Sequence, residues 1–423
     1  MENKLPESDR SILVGIVWGR ETQESVDASL EELEGLLTTA GGECVAKLTQ
    51  NKEAPDTRTV IGSGKAAELA YLCAVNDVTL VVFDCELTPS QIRNLEDILG
   101  DKVRVIDRSM LILDIFALHA VTGEGKLQVE LAQLKYTAPR LSGHGTEMSR
   151  LGGGIGTRGP GESKLETDRR HMMRRIRSLE EQISEMEKNR KTMRASRDRS
   201  GIPEIAIVGY TNAGKSTLLN RMTDAGILAE DKLFATLDPT TRKYILPSGE
   251  PVLLTDTVGF INKLPHHLIS AFRSTLEEAC NADILLILTD ASDPRFREQL
   301  SVTEELLSEL GASGKPTLYV FNKCDRGVAQ FGRIGAAAPE DQVYISALTG
   351  QGLEMLVSRL EAIVSEGKKR ITYFIPNSDG GALNTLYRFA TVESVDYGAD
   401  GMTVVALADA KARGMMRKYA VEE

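Results

Sequence analysis

Residues 209–216 read Gly-Tyr-Thr-Asn-Ala-Gly-Lys-Ser, which is the spacing of a phosphate-binding loop. The segment lies between an apolar run at 204–208 and a helical pattern, which is the context that such a loop requires. Its glycines let backbone N–H groups surround phosphates, and the helix N-terminus adds favourable partial charge. We expect Lys215 to reach the β- and γ-phosphates and Ser216 to ligate Mg²⁺, a hard ion that prefers oxygen. The predicted nucleotide-binding residues of this loop are Gly209, Asn212, Gly214, Lys215, Ser216 and Thr217.

A second motif, Asp-Thr-Val-Gly, begins at Asp256 and follows an apolar run at 252–255. An aspartate at a strand end beside the phosphates is suited to hold Mg²⁺ through a bound water. We expect the Gly259 N–H to meet the γ-phosphate. Such a motif is weak by itself, but its position 41 residues after Lys215 supports the phosphate site.

The base is predicted from Asn322-Lys323-Cys324-Asp325, which follows the apolar run 317–321. The Asp325 carboxylate accepts hydrogen bonds only, so it matches the adjacent N1–H and N2–H donors of guanine. Adenine lacks this pair of donors and would leave the carboxylate without partners, a mismatch that discriminates strongly. We expect Asn322 to tie the loop together and the stem of Lys323 to cover the base.

A fourth segment, Ser346-Ala347-Leu348, follows the run 342–345, and the Ala347 N–H is placed to meet the guanine O6. This triplet has little weight alone but corroborates the other motifs in this order. We therefore expect GTP and GDP as ligands, with Mg²⁺.

Hydrolysis needs a threonine whose hydroxyl reaches Mg²⁺ and the γ-phosphate, and residues 234–242 offer three. Thr236 is the first choice, with Thr240 and Thr241 as rivals. The predicted catalytic residues are Lys215, Thr236 and Gly259, and the predicted metal-binding residues are Ser216, Thr236 and Asp256. Many GTPases carry a glutamine after Asp-x-x-Gly to orient the attacking water. Phe260 stands there instead, so we expect slow turnover alone, although Phe260 is alternatively a plain core aromatic.

The elements that position these residues indicate a multidomain α/β protein. Residues 1–122 alternate strand-like and helix-like segments, which predicts a small parallel sheet with crossover helices. Residues 123–200 predict an antiparallel helical hairpin with a glycine-rich loop at 142–161. Residues 201–368 predict the nucleotide-binding domain, with a mostly parallel sheet and flanking helices. Residues 369–423 predict a small α+β domain with a final helix at 408–419.

The hairpin is the basic part of an acidic chain. The 423 residues carry a net charge of −11, whereas residues 140–201 contain 15 Lys or Arg against 9 Asp or Glu. Glycines allow a backbone to approach RNA closely, and arginines contact its phosphates. The alternative is a solvated coiled coil with a passive connector. The candidate RNA contacts are Arg150, Arg158, Arg169, Arg170, Arg174 and Arg175.

Composition excludes some classes of protein. The five cysteines are scattered and read as reduced thiols rather than as a disulfide or zinc framework. No apolar run reaches the roughly 20 residues of a membrane span, and the N-terminus does not read as a secretory signal. We expect a cytoplasmic protein that is a monomer.

The order of these motifs resembles that of translation-factor-class GTPases, and the fuller arrangement resembles the HflX family. The segments that carry the second resemblance are SGHGTEMSRLGGGIGTRGPGESKLETDRR at 142–170, GYTNAGKST, FATLDPTTR, DTVGF and NKCD. The resemblance implies a ribosome-associated GTPase that acts on the large subunit and its ribosomal RNA, and that splits or rescues stalled ribosomes under stress. A ribosome-assembly GTPase and a nucleotide-dependent switch for a protein partner are the rival interpretations.

A second glycine-lysine segment, Ile-Gly-Ser-Gly-Lys at 61–65, begins a helical pattern in the first predicted domain. Such a helix start could hold an anion or the phosphates of ATP. A helix cap followed by a surface lysine is the other interpretation. ATP binding here therefore stays an option that the family resemblance also raises.

Overall fold

The computed structural model describes residues 9–141, 160–198, 202–223, 233–234, 239–263, 278–327, 339–366, 368–408 and 410–421. The chain forms two compact units. The first contains Met1–Met186, Leu228–Asp238 and Val258–Leu276, and the second contains Glu187–Ile227, Pro239–Thr257 and Glu277–Glu423. The predicted division into four domains stays a prediction.

The first unit is built on a parallel sheet of four strands in the order β2-β1-β3-β4. Its helices begin at side chains that cap them, since Thr22 and Thr88 each accept the N–H of the third helical residue in a capping box. The predicted small parallel α/β fold is therefore confirmed. The strands are β1 (Arg10–Val17), β2 (Glu43–Asn51), β3 (Leu80–Phe83) and β4 (Arg104–Asp107), and the helices are α1 (Gln23–Thr39), α2 (Ser63–Val75), α3 (Pro89–Leu99) and α4 (Arg108–His119).

Two further helices, α5 (Gly123–Leu141) and α6 (Pro160–Asp198), pack through the predicted apolar seam. Leu131, Ile176 and Leu179 are buried there, because leucine and isoleucine recur at alternating spacings of three and four residues. The ion pairs Arg175–Glu130 and Lys135–Glu180 flank this seam.

The second unit contains a sheet of six strands in the order β10-β9-β8-β5-β7-β6, parallel except for β6. Strands β5, β7, β8 and β9 are short and largely apolar, which is typical of a parallel sheet covered on both faces, whereas the edge strand β6 is polar. The elements are β5 (Glu204–Gly209), α7 (Lys215–Thr223), β6 (Thr240–Ile245), β7 (Pro251–Asp256), β8 (Ile284–Asp290), α8 (Phe296–Glu309), β9 (Thr317–Asn322), β10 (Gln342–Tyr344) and α9 (Leu353–Ser365).

The end of the chain adds an antiparallel sheet in the order β11-β13-β12. The predicted final helix is shorter than expected, since Ala408 ends a strand and a separate 3-10 turn follows at Arg417–Tyr419. The elements are β11 (Lys369–Pro376), α10 (Gly381–Phe389), β12 (Ala390–Tyr397), β13 (Gly401–Ala408) and α11 (Ala410–Met415). Among the helices in the described ranges, none is long and apolar enough to cross a membrane.

Candidate nucleotide-binding site

The loop between β5 and α7 takes a shape that two of its glycines permit. Gly209 has φ +152° and Gly214 has φ +95°, a region that disfavours other residues. A Cβ on Gly209 would lie 2.1 Å from the carbonyl oxygen of Leu288, and one on Gly214 would lie 2.3 Å from the Asn322 Nδ2. Glycine is therefore required at both positions by conformation and by space.

Lys215 begins α7 and turns back over this loop. Its buried ammonium donates to the carbonyl oxygens of Gly209 at 3.1 Å and Tyr210 at 2.8 Å. Burial lowers the pKa of Lys215 to about 8, while Asp256 opposes the lowering and Lys323 adds to it. The loop thus presents a desolvated cation, which phosphate oxygens would stabilise.

Ser216 and Asp256, two of the predicted metal-binding residues, are in direct contact. The Ser216 hydroxyl donates to the Asp256 Oδ2 at 2.6 Å, and Asp256 is fully buried at the end of β7. The hydroxyl of Thr211 is also buried in the loop and has no hydrogen-bond partner among the described residues. A hydroxyl and a carboxylate at this distance form an oxygen donor set that fits Mg²⁺.

Asn322 joins three loops of the site. Its Nδ2 donates to the carbonyl oxygen of Ala213 at 2.8 Å, and its Oδ1 accepts the N–H of Ala347 at 2.9 Å. The Asn322 side chain therefore links the loop before α7 to the segment at 346–348, and its predicted role in holding the base-binding loop stays a prediction. The Ala347 N–H is thus hydrogen-bonded to Asn322 in this structure, and its expected contact with the guanine O6 stays a prediction.

The remaining residues of the predicted base-binding segment lie at the end of β9. Lys323 has φ +63° and is half-buried, whereas Asp325 is exposed in a short 3-10 turn. Ser346 is fully buried, and its hydroxyl accepts the N–H of Thr349 at 3.1 Å. The exposed carboxylate of Asp325 is free to approach a planar base from solvent.

Several predicted catalytic positions lie in or beside Leu228–Asp238 and Val258–Leu276, the two later segments of the chain that belong to the first unit. Gly259 and Phe260 follow β7, and both are buried. Thr236 lies outside the described residues. Its rivals Thr240 and Thr241 begin strand β6, and the hydroxyl of Thr241 is hydrogen-bonded to that of Thr255 at 2.9 Å.

The candidate RNA contacts divide into three groups. Arg150 and Arg158 lie outside the described residues, whereas Arg169, Arg170 and Arg174 are exposed on α6. Arg175 is also exposed, but its guanidinium donates two hydrogen bonds of 2.7 Å to the carboxylate of Glu130 on α5. Arg175 therefore has a role in holding the two helices together.

Sequence reasoning missed two residues that support the site. The Asp290 Oδ2 lies 2.8 Å from the Lys323 Nζ, and the Arg221 guanidinium donates to the carbonyl oxygen of Thr349 at 3.2 Å. The sequence shows that Asp290 ends the apolar strand before the one that ends in Asn322, but that these two strands are neighbours in the sheet is known only from the structure. Nothing in the sequence pattern indicates the contact of Arg221.

Three family models match successive parts of the chain. One described as the N-terminal region of a GTP-binding GTPase matches residues 27–117, and one for its middle region matches 119–197. A third, described as a 50S ribosome-binding GTPase, matches residues 204–323. With the phosphate loop on a parallel sheet, these matches define a P-loop GTPase, which binds and hydrolyses GTP.

The similarity to curated proteins extends along nearly the whole chain. The GTPase HflX of Lacrimispora saccharolytica is 50% identical over 399 residues, which cover 94% of this chain and 93% of that protein. The GTPase HflX of Escherichia coli is 41% identical, with coverage of 95% and 93%. The chain therefore belongs to the HflX GTPase family. A solved GTP-binding protein from Sulfolobus solfataricus in complex with GDP is 24% identical, covers 84% of this chain and 99% of its own, and gives a TM-score of 0.44.

Proposed function

We propose that this GTPase binds the large ribosomal subunit through ribosomal RNA, and that it splits or rescues stalled ribosomes under stress. It acts in the cytoplasm as a monomer. The observation that carries the proposal is the long helix α6, which presents Arg169, Arg170 and Arg174 to solvent in a chain that also contains a GTPase domain. Exposed arginines on one helix attract phosphates of RNA. The name of the family model at residues 204–323 supports the same partner.

In the proposed GTPase cycle, Lys215 neutralises the γ-phosphate, and the N–H of Gly259 donates to it. Ser216, Thr236 and, through a water, Asp256 would hold Mg²⁺, which would neutralise phosphate charge. Thr211, whose buried hydroxyl is otherwise without a partner among the described residues, donates within the same cradle.

Phe260 supports the proposal that hydrolysis is slow until a partner is bound. Its side chain is buried and cannot hydrogen-bond the attacking water. We propose that the large subunit orders the loops around the γ-phosphate and supplies this positioning. GTP turnover measured with and without large subunits tests the idea, and equal rates would contradict it.

Sedimentation of intact ribosomes tests the proposed splitting. With this protein and GTP, we expect free subunits to appear, and ATP in place of GTP should leave the ribosomes intact. Replacing Arg169, Arg170 and Arg174 together by glutamine should preserve GTP binding and weaken splitting, whereas replacement by lysine keeps the charge and should weaken it less. Undiminished splitting by the glutamine variant would exclude these arginines as RNA contacts.

The same materials distinguish the rival functions. A ribosome-assembly factor would bind immature subunits and leave mature ribosomes intact. A switch for a protein partner would retain its associated proteins after RNase treatment, whereas the proposed function predicts that RNase releases them.

A further inference from the structure

Asp290 lies directly beside the predicted base-recognition segment. It is the last residue of β8, and it pairs in register with Asn322, the last residue of β9. The N–H of Ala291 donates to the carbonyl oxygen of Asn322 at 2.8 Å. The backbone therefore fixes Asp290 next to the segment that begins with Asn322.

The Asp290 carboxylate is held by several donors. Its Oδ2 lies 2.8 Å from the Lys323 Nζ, and its Oδ1 accepts the N–H of Ser292 at 2.9 Å and its hydroxyl at 2.6 Å. Burial raises the pKa of Asp290, but the hydrogen bonds from Lys323 and Ser292 outweigh this and lower it. The carboxylate is thus a fixed anion with one oxygen directed at Lys323.

Lys323 gains its position from this contact. Its side chain is only 15% exposed and that of Asp290 17%, so the pair is shielded from solvent. A lysine stem is flexible and loses rotamer freedom when a ligand orders it. Because the ion pair orders the stem in advance, less freedom remains to be lost on binding.

We propose that Asp290 is a positioning residue for guanine-nucleotide binding, which anchors the Lys323 ammonium so that the lysine stem is preorganised to cover the base. The proposal rests on the assignment of residues 322–325 as the base-recognition segment. Asp290 itself does not contact the nucleotide.

The test is a double-mutant cycle in the full-length protein, with dissociation constants and release rates measured for fluorescently labelled GDP. We expect Asp290→Asn and Lys323→Met each to weaken binding about tenfold, mainly through faster release. The double variant should bind like Lys323→Met alone, because Asp290 acts only through that lysine. Asp293→Asn is the matched control, since its carboxylate follows the same strand and accepts from Arg295 and Gln299 instead.

Wild-type affinity in Asp290→Asn would overturn the proposal, and so would effects that multiply in the double variant. If Asp290→Asn alone fails to fold, Lys323→Met and the double variant still decide the matter. Equal affinities in those two support the proposal, and a further tenfold loss in the double variant overturns it.

One further variant tests the premise, which is that residues 322–325 recognise the base, separately from the proposed role of Asp290. Asp325→Asn replaces the acceptor of the base-recognition segment and should reduce GDP affinity while improving xanthosine diphosphate binding, because xanthine offers a carbonyl where guanine has its amino group. If Asp325→Asn changes neither, the assignment of the segment fails. If it behaves as expected while the double-mutant cycle shows no coupling, only the role of Asp290 fails.

A second inference comes from a different observation, the contacts of Lys263. This residue lies seven positions after Asp256 and has φ +54°. Its ammonium is 2.7 Å from the Asp84 Oδ2 and 3.0 Å from the Glu21 Oε1. Burial opposes the charged form, but these two carboxylates raise the pKa of Lys263.

The Asp84 carboxylate that binds this lysine is itself held in place by other side chains. It is 4% exposed, and it also accepts from the guanidinium of Arg108 at 2.8 Å and from the hydroxyl of Ser29 at 2.7 Å. A second contact within the first unit is made by Phe234, whose ring packs edge-on against that of Phe116 with 4.8 Å between centroids. Phe234 and Lys263, which lie on either side of β6 and β7 in the sequence, thus both contact side chains of residues 10–119 within the first unit.

We infer that the Lys263–Asp84 ion pair is a latch, closed in one nucleotide state and open in the other. The segment that contains Lys263 begins directly after the Asp-x-x-Gly motif, whose glycine is expected to meet the γ-phosphate. That glycine, Gly259, lies only four residues before Lys263. Its movement toward the phosphate would therefore pull on the chain that leads to Lys263. The inference rests on the proposed role of Gly259.

Trp18, the only tryptophan of the chain, can serve as a fluorescent probe of this latch. Its carbonyl oxygen accepts the N–H of Glu21, the second partner of Lys263. We expect Trp18 emission to differ between the complexes with GDP and with a non-hydrolysable GTP analogue. Lys263→Met should abolish the difference, whereas Lys47→Met, which removes the ion pair with Glu34 in the same unit, should preserve it.

An unchanged difference in Lys263→Met would overturn the latch, as would identical emission from both wild-type complexes. Binding of labelled GDP to each variant is measured in parallel. A Gly259→Ala variant that binds GDP but no longer distinguishes the two nucleotides would support the premise. A variant that still distinguishes them would refute the premise rather than the ion pair.

Discussion

Two segments of this chain place glycines and a lysine at the start of a helix, and their surroundings differ. In the loop at 209–216, the Lys215 ammonium is buried and lies over backbone carbonyl oxygens. In the segment at 61–65, the Lys65 ammonium lies 2.9 Å from Glu68 in a surface ion pair. Of these two lysines only Lys215 has a desolvated ammonium, which phosphate oxygens would stabilise.

The glycines of the two segments differ as well. Gly209 and Gly214 have positive φ angles, whereas Gly62 is an extended N-cap with φ −67°. The N–H of Gly62 already donates to the side-chain oxygen of Gln50 at 2.8 Å. The segment at 61–65 therefore has the contacts of a helix cap, and the comparison shows that glycine and lysine content alone does not make a phosphate site.

Substitution of the two inner glycines should separate the segments most strongly. In Gly214→Ala, the new methyl group meets Asn322 and the backbone is strained at φ +95°. Together these effects should weaken the free energy of GDP binding by about 3 kcal/mol, so we expect GDP affinity to fall about 100-fold. Gly64→Ala is the matched control, because open space surrounds its Cβ and alanine favours a helix. Calorimetric titration with GDP measures both, and similar affinities for the two variants would contradict the prediction.

The two lysines offer the next contrast, in turnover rather than affinity. Lys215→Met removes the buried cation and should lower the rate of GTP hydrolysis by a factor on the order of 100. Lys65→Met removes a surface ion pair and should leave the rate within about twofold of the wild type. Release of inorganic phosphate is the measurement. A comparable loss in Lys65→Met would show that the segment at 61–65 takes part in catalysis.

The phosphate loop and most of the fold around it could be predicted from the sequence. The spacing of Gly209, Gly214 and Lys215 predicted the phosphate loop, and alternating apolar segments predicted both parallel sheets. Periodicity and turn chemistry are local properties of a sequence, which is why they predicted these elements. The helical seam of α5 and α6 followed from the same kind of pattern.

The ion pairs that support the site could not be predicted in the same way. Lys263 binds Asp84 across 179 positions, and Asp290 meets Lys323 only because β8 and β9 are neighbours. Such contacts depend on strand order and on the path of the chain, which a single sequence does not encode as a local pattern. The hydrogen bond from the Gly62 N–H to the Gln50 side chain is another contact of this kind, because it joins the start of α2 to strand β2.

The buried ammonium of Lys215 should also make the stability of the nucleotide-free protein depend on pH. Its pKa is about 8 in the folded protein and has an ordinary value of 10.5 in the unfolded chain. Between these values the unfolded chain binds more protons, so the free energy of unfolding should rise with pH by about 3 kcal/mol. Lys215→Met should lack this rise. Urea unfolding of both proteins at pH 7.5 and pH 10 measures it, and equal pH dependence would contradict the assigned burial.

The smallest expected effect concerns the cap of α2. Gln50→Ala removes the acceptor of the Gly62 N–H, which should lower the free energy of unfolding by about 1 kcal/mol, because a half-buried donor loses its partner. GTP turnover and GDP affinity should not change, since this contact serves the first unit alone. Gln23→Ala is a suitable control, because its amide contacts are exposed. Measurable ATP binding by Gln50→Ala would contradict this prediction, because it would show that the freed N–H of Gly62 can bind an anion. The two helix starts would then differ only in that Gln50 occupies the anion site at 61–65, and not in their ability to form such a site.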